Sequence, residues 1–121
     1  MYSNQYRYYE IHGDNYSQKM EYRKIVKIIL DQNCFVQKDN QIFKNKDDFP
    51  WISIGIVYTQ NDNYATKNEK KEINLITIVT QKNIDQSIYT NVLLNIAKEL
   101  NWKLFLEEDD EGNENIEILK K

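Results

Sequence analysis

Glu107, Glu108, Asp109, Asp110, Glu111, Glu114 and Glu117 fall within eleven consecutive residues that contain no Lys or Arg. The whole chain has a net charge of -3, so the residues outside this run carry a net +4. Carboxylates at this density can hold a cation, work in pairs as acid and base, or present a field to a basic surface. A calcium loop needs oxygens at fixed spacings ahead of a bidentate Glu. With Gly112 at the loop glycine, Glu107, Asp109 and Glu111 take the first three ligand positions, but Ile118 stands where that Glu belongs. Acid-base work needs two carboxyls in different environments, so that one stays protonated near neutral pH, and adjacent solvated acids share one environment. What remains is an electrostatic docking edge for a cationic macromolecule. The competing reading is a charged hairpin that guards a sheet edge from aggregation. Acids that serve only solubility are interspersed with Lys, as they are elsewhere in this chain, and the segregation favours docking.

The other reactive side chains are sparse. His12 is the one histidine and precedes Gly13, where a surface or capping role is the ordinary one. Cys34 leads into Phe35-Val36 and reads as a small buried hydrophobe rather than a reactive thiol. Tyr2, Tyr6, Tyr8 and Tyr9 flank Arg7, a grouping able to stack on bases or to fill a protein interface. The sheet signature of single-strand RNA binders is absent, and the net charge opposes polyanions. Three glycines build no phosphate loop or dinucleotide fingerprint. No catalytic residue, cofactor site or metal site is therefore expected.

Composition bounds the class. The 121 residues fit one α+β domain, residues 1–121, and the 40% hydrophobic content suits a soluble globular chain. One cysteine excludes an internal disulfide. The apolar runs fall far short of the ~20 residues that span a bilayer, and the first residues lack the order of a signal peptide. A cytoplasmic location follows as the expectation. Abundant Asn, Lys and Ile suggest an AT-rich, bacterial genome.

The elements that must position these residues are read from periodicity. Tyr6 to Ile11 predicts a strand that stops at Gly13-Asp14-Asn15. Helical spacing of Tyr22, Ile25, Val26 and Ile29 predicts a helix over Ser17 to Gln32, capped by Ser17 and closed by Asn33. Cys34–Val36 and Ile42–Phe43 suggest a small hairpin. Trp51 to Thr59 alternates with period two and predicts a strand, Gln60 to Glu72 a solvated loop, and Ile73 to Thr80 a central strand with apolar residues on both faces. Ile88, Val92, Ile96 and Leu100, with Tyr89, Leu93 and Ala97, form the stripe of a helix over Asp85 to Asn101, with Asp85 as cap. Lys103 to Glu107 and Asn115 to Leu119 complete a hairpin bearing the acids. The order β-α-β-β-β-β-α-β-β predicts a mainly antiparallel sheet with two helices packed on one face.

Asp48-Phe49-Pro50-Trp51-Ile52, the strand Ile73-Asn74-Leu75-Ile76-Thr77-Ile78-Val79, and Leu100-Asn101-Trp102-Lys103-Leu104-Phe105-Leu106-Glu107-Glu108-Asp109-Asp110-Glu111-Gly112-Asn113-Glu114-Asn115 resemble small bacterial immunity proteins of contact-dependent and other polymorphic toxin systems. The resemblance is one of size, acidity, composition and α+β order. It implies a non-enzymatic inhibitor that binds a cognate protein toxin with a basic surface, such as a nuclease domain, in the cytoplasm, without nucleic acid or membrane as partner. The acidic hairpin is then the natural contact, since its charge mimics the phosphates that such a nuclease recognises. Two other arrangements stay open. One is a nucleic-acid-associated regulator or enzyme using Tyr6, Arg7, Tyr8 and His12, and the other a homodimer formed through a sheet edge.

Overall fold

The computed structural model describes residues 5–60, 63–64 and 72–119. β1 (Tyr6–His12), a short 3-10 turn (Asp14–Tyr16) and β2 (Met20–Glu21) precede α1 (Tyr22–Asp31). β3 (Phe35–Gln37), β4 (Ile42–Asn45), β5 (Ile52–Val57), β6 (Thr59–Gln60), β7 (Asn63–Tyr64), β8 (Glu72–Ile73) and β9 (Leu75–Gln81) follow. α2 (Ser87–Leu100), β10 (Lys103–Glu108) and β11 (Glu114–Ile118) complete the chain. Seven strands form one antiparallel sheet in the order β11-β10-β1-β9-β5-β4-β3, which places β9 in the middle. β2 pairs with β8, and β6 with β7, as separate two-residue ribbons.

Opposite residues of an antiparallel pair share a face, so the register sorts the sheet into two sides. Tyr9 and Ile11 on β1 stand level with Leu106 and Leu104 on one flank and with Ile78 and Ile76 on the other. Those two isoleucines continue to Ile54 and Ile56 on β5, and Ile54 to Phe43 on β4. This side carries the core, closed by Ile25, Ile28 and Ile29 of α1 and by Tyr89, Leu93, Ile96 and Leu100 of α2. The opposite side carries Tyr6, Tyr8, Glu10 and His12 of β1 with Lys103, Phe105 and Glu107 of β10. None of these is fully buried.

The α+β sheet with both helices on one side is the architecture the periodicities predict. Without the two-residue ribbons, the element order also agrees. Four local readings are corrected. α1 starts at Tyr22 rather than Ser17, because the Ser17 hydroxyl donates to the Asp14 carbonyl at 2.7 Å within the 3-10 turn and Met20–Glu21 is drawn into pairing with β8. Ile88, counted in the apolar stripe of α2, is 41% exposed. The solvated loop read over Gln60 to Glu72 lies in part outside the described residues, but Gln60, Asn63–Tyr64 and Glu72 belong to short strands. The cap position of α2 is Gln86 rather than Asp85, which stands one residue ahead and accepts the backbone N–H and hydroxyl of Ser87 at 3.0 and 2.8 Å; Asn101 closes the helix in the left-handed conformation.

Candidate functional site

The acidic run forms the hairpin β10–β11, and its turn is built by one of its own acids. Oδ1 of Asp109 accepts the backbone N–H groups of Glu111 and Asn113, both at 2.9 Å, while Oδ2 accepts the Asn113 amide at 3.0 Å. Gly112, at φ 85°, supplies the left-handed residue the reversal needs. These bonds stabilise the charged form. The Asn113 side chain has the largest effect, and together with the backbone N–H groups and the Arg7 charge it holds the Asp109 carboxyl below its ordinary value.

The next acid is clasped to the body of the sheet. Oδ1 of Asp110 receives Nη2 of Arg7 at 3.0 Å and Nζ of Lys82 at 2.9 Å. The Lys82 hydrogen bond, then the Arg7 charge, keep the Asp110 carboxyl below its usual range. Glu107 shares the open side with Glu10 of β1, and its side chain helps to lower the Glu10 carboxyl. Burial is the main cause that raises the Glu10 carboxyl above its ordinary 4.5; Tyr16 and Glu107 pull the other way.

The remaining acids make no ion pair within 4 Å among the described residues. Glu108 stands opposite Glu114 across the hairpin, like charge against like, an arrangement that costs stability unless a cation joins it. Glu111 is exposed beside the tip, and Glu117 is exposed on β11 opposite Phe105. The seven acids read from the sequence are thus contiguous along the chain but divided in space. Strand alternation puts Glu108 and Glu114 on the helix side and Glu107 and Glu117 on the other. Three of them, Glu107, Asp109 and Asp110, are engaged within the molecule; Glu111, Glu114 and Glu117 are exposed and Glu108 is half-buried, none of the four in an ion pair among the described residues.

A cleft of about 360 Å³ adjoins this edge, between the end of α2 and the last two strands. Leu94, Ala97, Trp102, Leu104 and Ile118 give it an apolar floor, with Glu117 on its wall. Leu119 beside it is 77% exposed, the most exposed large hydrophobic among the described residues.

The second group read from the sequence is split by β1. Tyr6 and Tyr8 lie on the open side, where the Tyr6 ring meets Trp51 at 5.4 Å and Lys44 sits 4.1 Å above Trp51. Arg7 and Tyr9 point to the helix side. The His12 ring stacks on Phe105 at 4.6 Å and meets Tyr16 in a tilted contact at 4.4 Å. Its Nδ1 faces the Gly13 carbonyl at 2.7 Å and therefore carries a proton, which leaves Nε2 turned toward Glu10 at 3.8 Å. Burial raises the Cys34 thiol, which disfavours the nucleophilic thiolate. Among the described residues, no group of three or more His, Cys, Asp or Glu is disposed to hold a metal ion, and no helix is long and apolar enough to cross a membrane. The Arg7–Asp110–Lys82 clasp joins residues 103 positions apart, and no sequence signal marks it. No protein-family model and no curated protein matches this sequence.

Proposed function

We propose that this chain is a non-enzymatic immunity protein that binds and neutralises a cognate basic bacterial toxin domain, a nuclease in the simplest case, from within the cytoplasm. The observation that carries the reading is the Glu108–Glu114 pair: two carboxylates held face to face on an edge hairpin, neither in an ion pair among the described residues. A Lys or Arg from a partner satisfies both at once. Glu111 and Glu117 extend the field on either side, and the apolar cleft next to Glu117 offers a desolvated anchor of the kind that dominates binding energy. The test is co-expression with the toxin domain encoded beside this gene. The native chain should protect the host, whereas E108K/E111K/E114K/E117K should fold normally and fail to protect. Full protection by the reversed variant removes the electrostatic mechanism.

A second reading has one observation in its favour, the Tyr6–Trp51 ring pair with Lys44 over the indole on the open side. Aromatic faces beside a cation stack on unpaired bases. A gel shift with single-stranded RNA at physiological salt separates the two, since the inhibitor reading expects no retarded band.

A further inference from the structure

The two cations that hold Asp110 are fixed by the sheet, while the carboxylate arrives on a hairpin tip. Arg7 belongs to β1 and its side chain is 14% exposed; Lys82 follows β9 and is 31% exposed; Asp110 is 67% exposed. Both cations reach the same atom, Oδ1, at 3.0 and 2.9 Å. Nε of Arg7 is buried and has no hydrogen-bond partner among the described residues. Two cations therefore share one carboxylate oxygen, and nitrogen donors outnumber the oxygens offered to them. The Asp109 charge reaches Arg7, but the nearby acids lend these cations no further oxygen. Asp109 spends both oxygens within the turn, and Glu108 makes no ion pair with either cation.

A cation removed from water needs a counter-anion, and leaving it bare costs far more than the pair contributes. In this clasp the exchangeable member is the exposed one. A phosphate group suits these two cations better than a carboxylate, because its charge approaches -2 at neutral pH and its oxygens meet a guanidinium and an ammonium from several directions. We propose that Arg7 and Lys82 form an oxyanion site for a phosphate group, which Asp110 fills from within the molecule. A bound phosphate displaces Asp110 and frees the hairpin tip from the sheet. This site is independent of the partner proposed above, since neither cation pairs with the acids of that reading.

The experiment follows thermal unfolding of the full chain at pH 7.5 in inorganic phosphate against chloride of equal ionic strength. D110A should unfold at a lower temperature than the native chain in chloride and regain about 3 °C or more in phosphate. K82Q/D110A should show no such recovery. E108Q/D110A also removes the Glu108 carboxylate of the same hairpin and should respond at least as strongly as D110A. Should D110A not fold in chloride, D110N, which keeps the shape of the turn, replaces it. A response of D110A or D110N, and of its E108Q double variant, no greater in phosphate than in chloride overturns the proposal. Adenosine monophosphate in a parallel arm separates the sources: equal recovery assigns free phosphate, and recovery at lower concentration assigns the phosphoryl end of a nucleotide.

Discussion

The hydroxyl of Tyr9 donates to the side-chain oxygen of Gln86 at 2.9 Å and so ties β1 to the start of α2 across 77 residues. The same amide donates to the carbonyls of Gln81 and Ile84 at 2.7 and 3.1 Å and also accepts the Thr80 hydroxyl at 3.3 Å, which fixes the turn between β9 and α2. Tyr9 is 2% exposed, and burial pushes its phenol up to about 12, so the hydroxyl stays a donor at any ordinary pH.

Gln86→Ala should therefore destabilise the fold by about 1–3 kcal/mol, the cost of a buried donor left without an acceptor. In a Tyr9→Phe background the same substitution should cost less, because the donor is gone. Urea denaturation of the four-member cycle measures the difference, and a coupling near zero would mean that the bond carries no weight.

Gly55 on β5 faces Thr77 on β9 on the open side. A Cβ at Gly55 would stand 2.9 Å from the Thr77 hydroxyl and 3.7 Å from Cδ1 of Ile42. Gly55→Ala should cost about 1–3 kcal/mol through overpacking. Thr77→Ala should remove most of that penalty, leaving a non-additivity above about 0.5 kcal/mol, which equilibrium unfolding resolves.

The Glu10 carboxyl, raised above 4.5 by burial, binds its proton more firmly folded than unfolded. Its contribution to stability is complete below that value and fades as the pH climbs through the folded one. Asp85, Asp109 and Asp110, all held below 3.8, act in the opposite sense: their stabilisation is present above 3.8 and is lost as the pH falls below it. Glu10→Gln should gain stability relative to the native chain between pH 4.5 and pH 7. Parallel unfolding curves across that range would show that Glu10 does not titrate abnormally.

Glu114 faces Glu108, so Glu114→Lys converts a repulsive cross-strand pair into an attractive one. Folding stability should rise by up to about 1 kcal/mol. Association with a basic partner should weaken, chiefly through a slower on-rate at low salt. A variant that is both more stable and equally fast to associate would show that the pair is not the contact.

What the sequence made legible follows from how local each signal is. Ile52, Ile54 and Ile56 alternate within one strand, and Leu93, Ile96 and Leu100 recur within one helix. Burial of all six agrees with those periods. The doubly apolar run Leu75 to Val79 announced a middle strand, and β9 is the fourth of seven. The neighbours of β1 were not legible, because pairing with β9 and β10 joins segments some 70 and 95 residues apart, and no local pattern encodes a partner at that distance. The acids show the same division. Their density is plain in the sequence, but their directions depend on strand alternation and on Arg7 and Lys82, which reach Asp110 from remote parts of the chain.

The position of β1 between β9 and β10 has a consequence for synthesis. β1 waits without its first neighbour until residue 81 has emerged from the ribosome, and without its second until residue 106. Until then the nascent chain exposes Tyr9 and Ile11 to whatever binds unfolded segments, and sheet closure is a late step dominated by distant pairings. Newly made molecules thus pass through a vulnerable interval before the sheet closes, and only finished copies are past it.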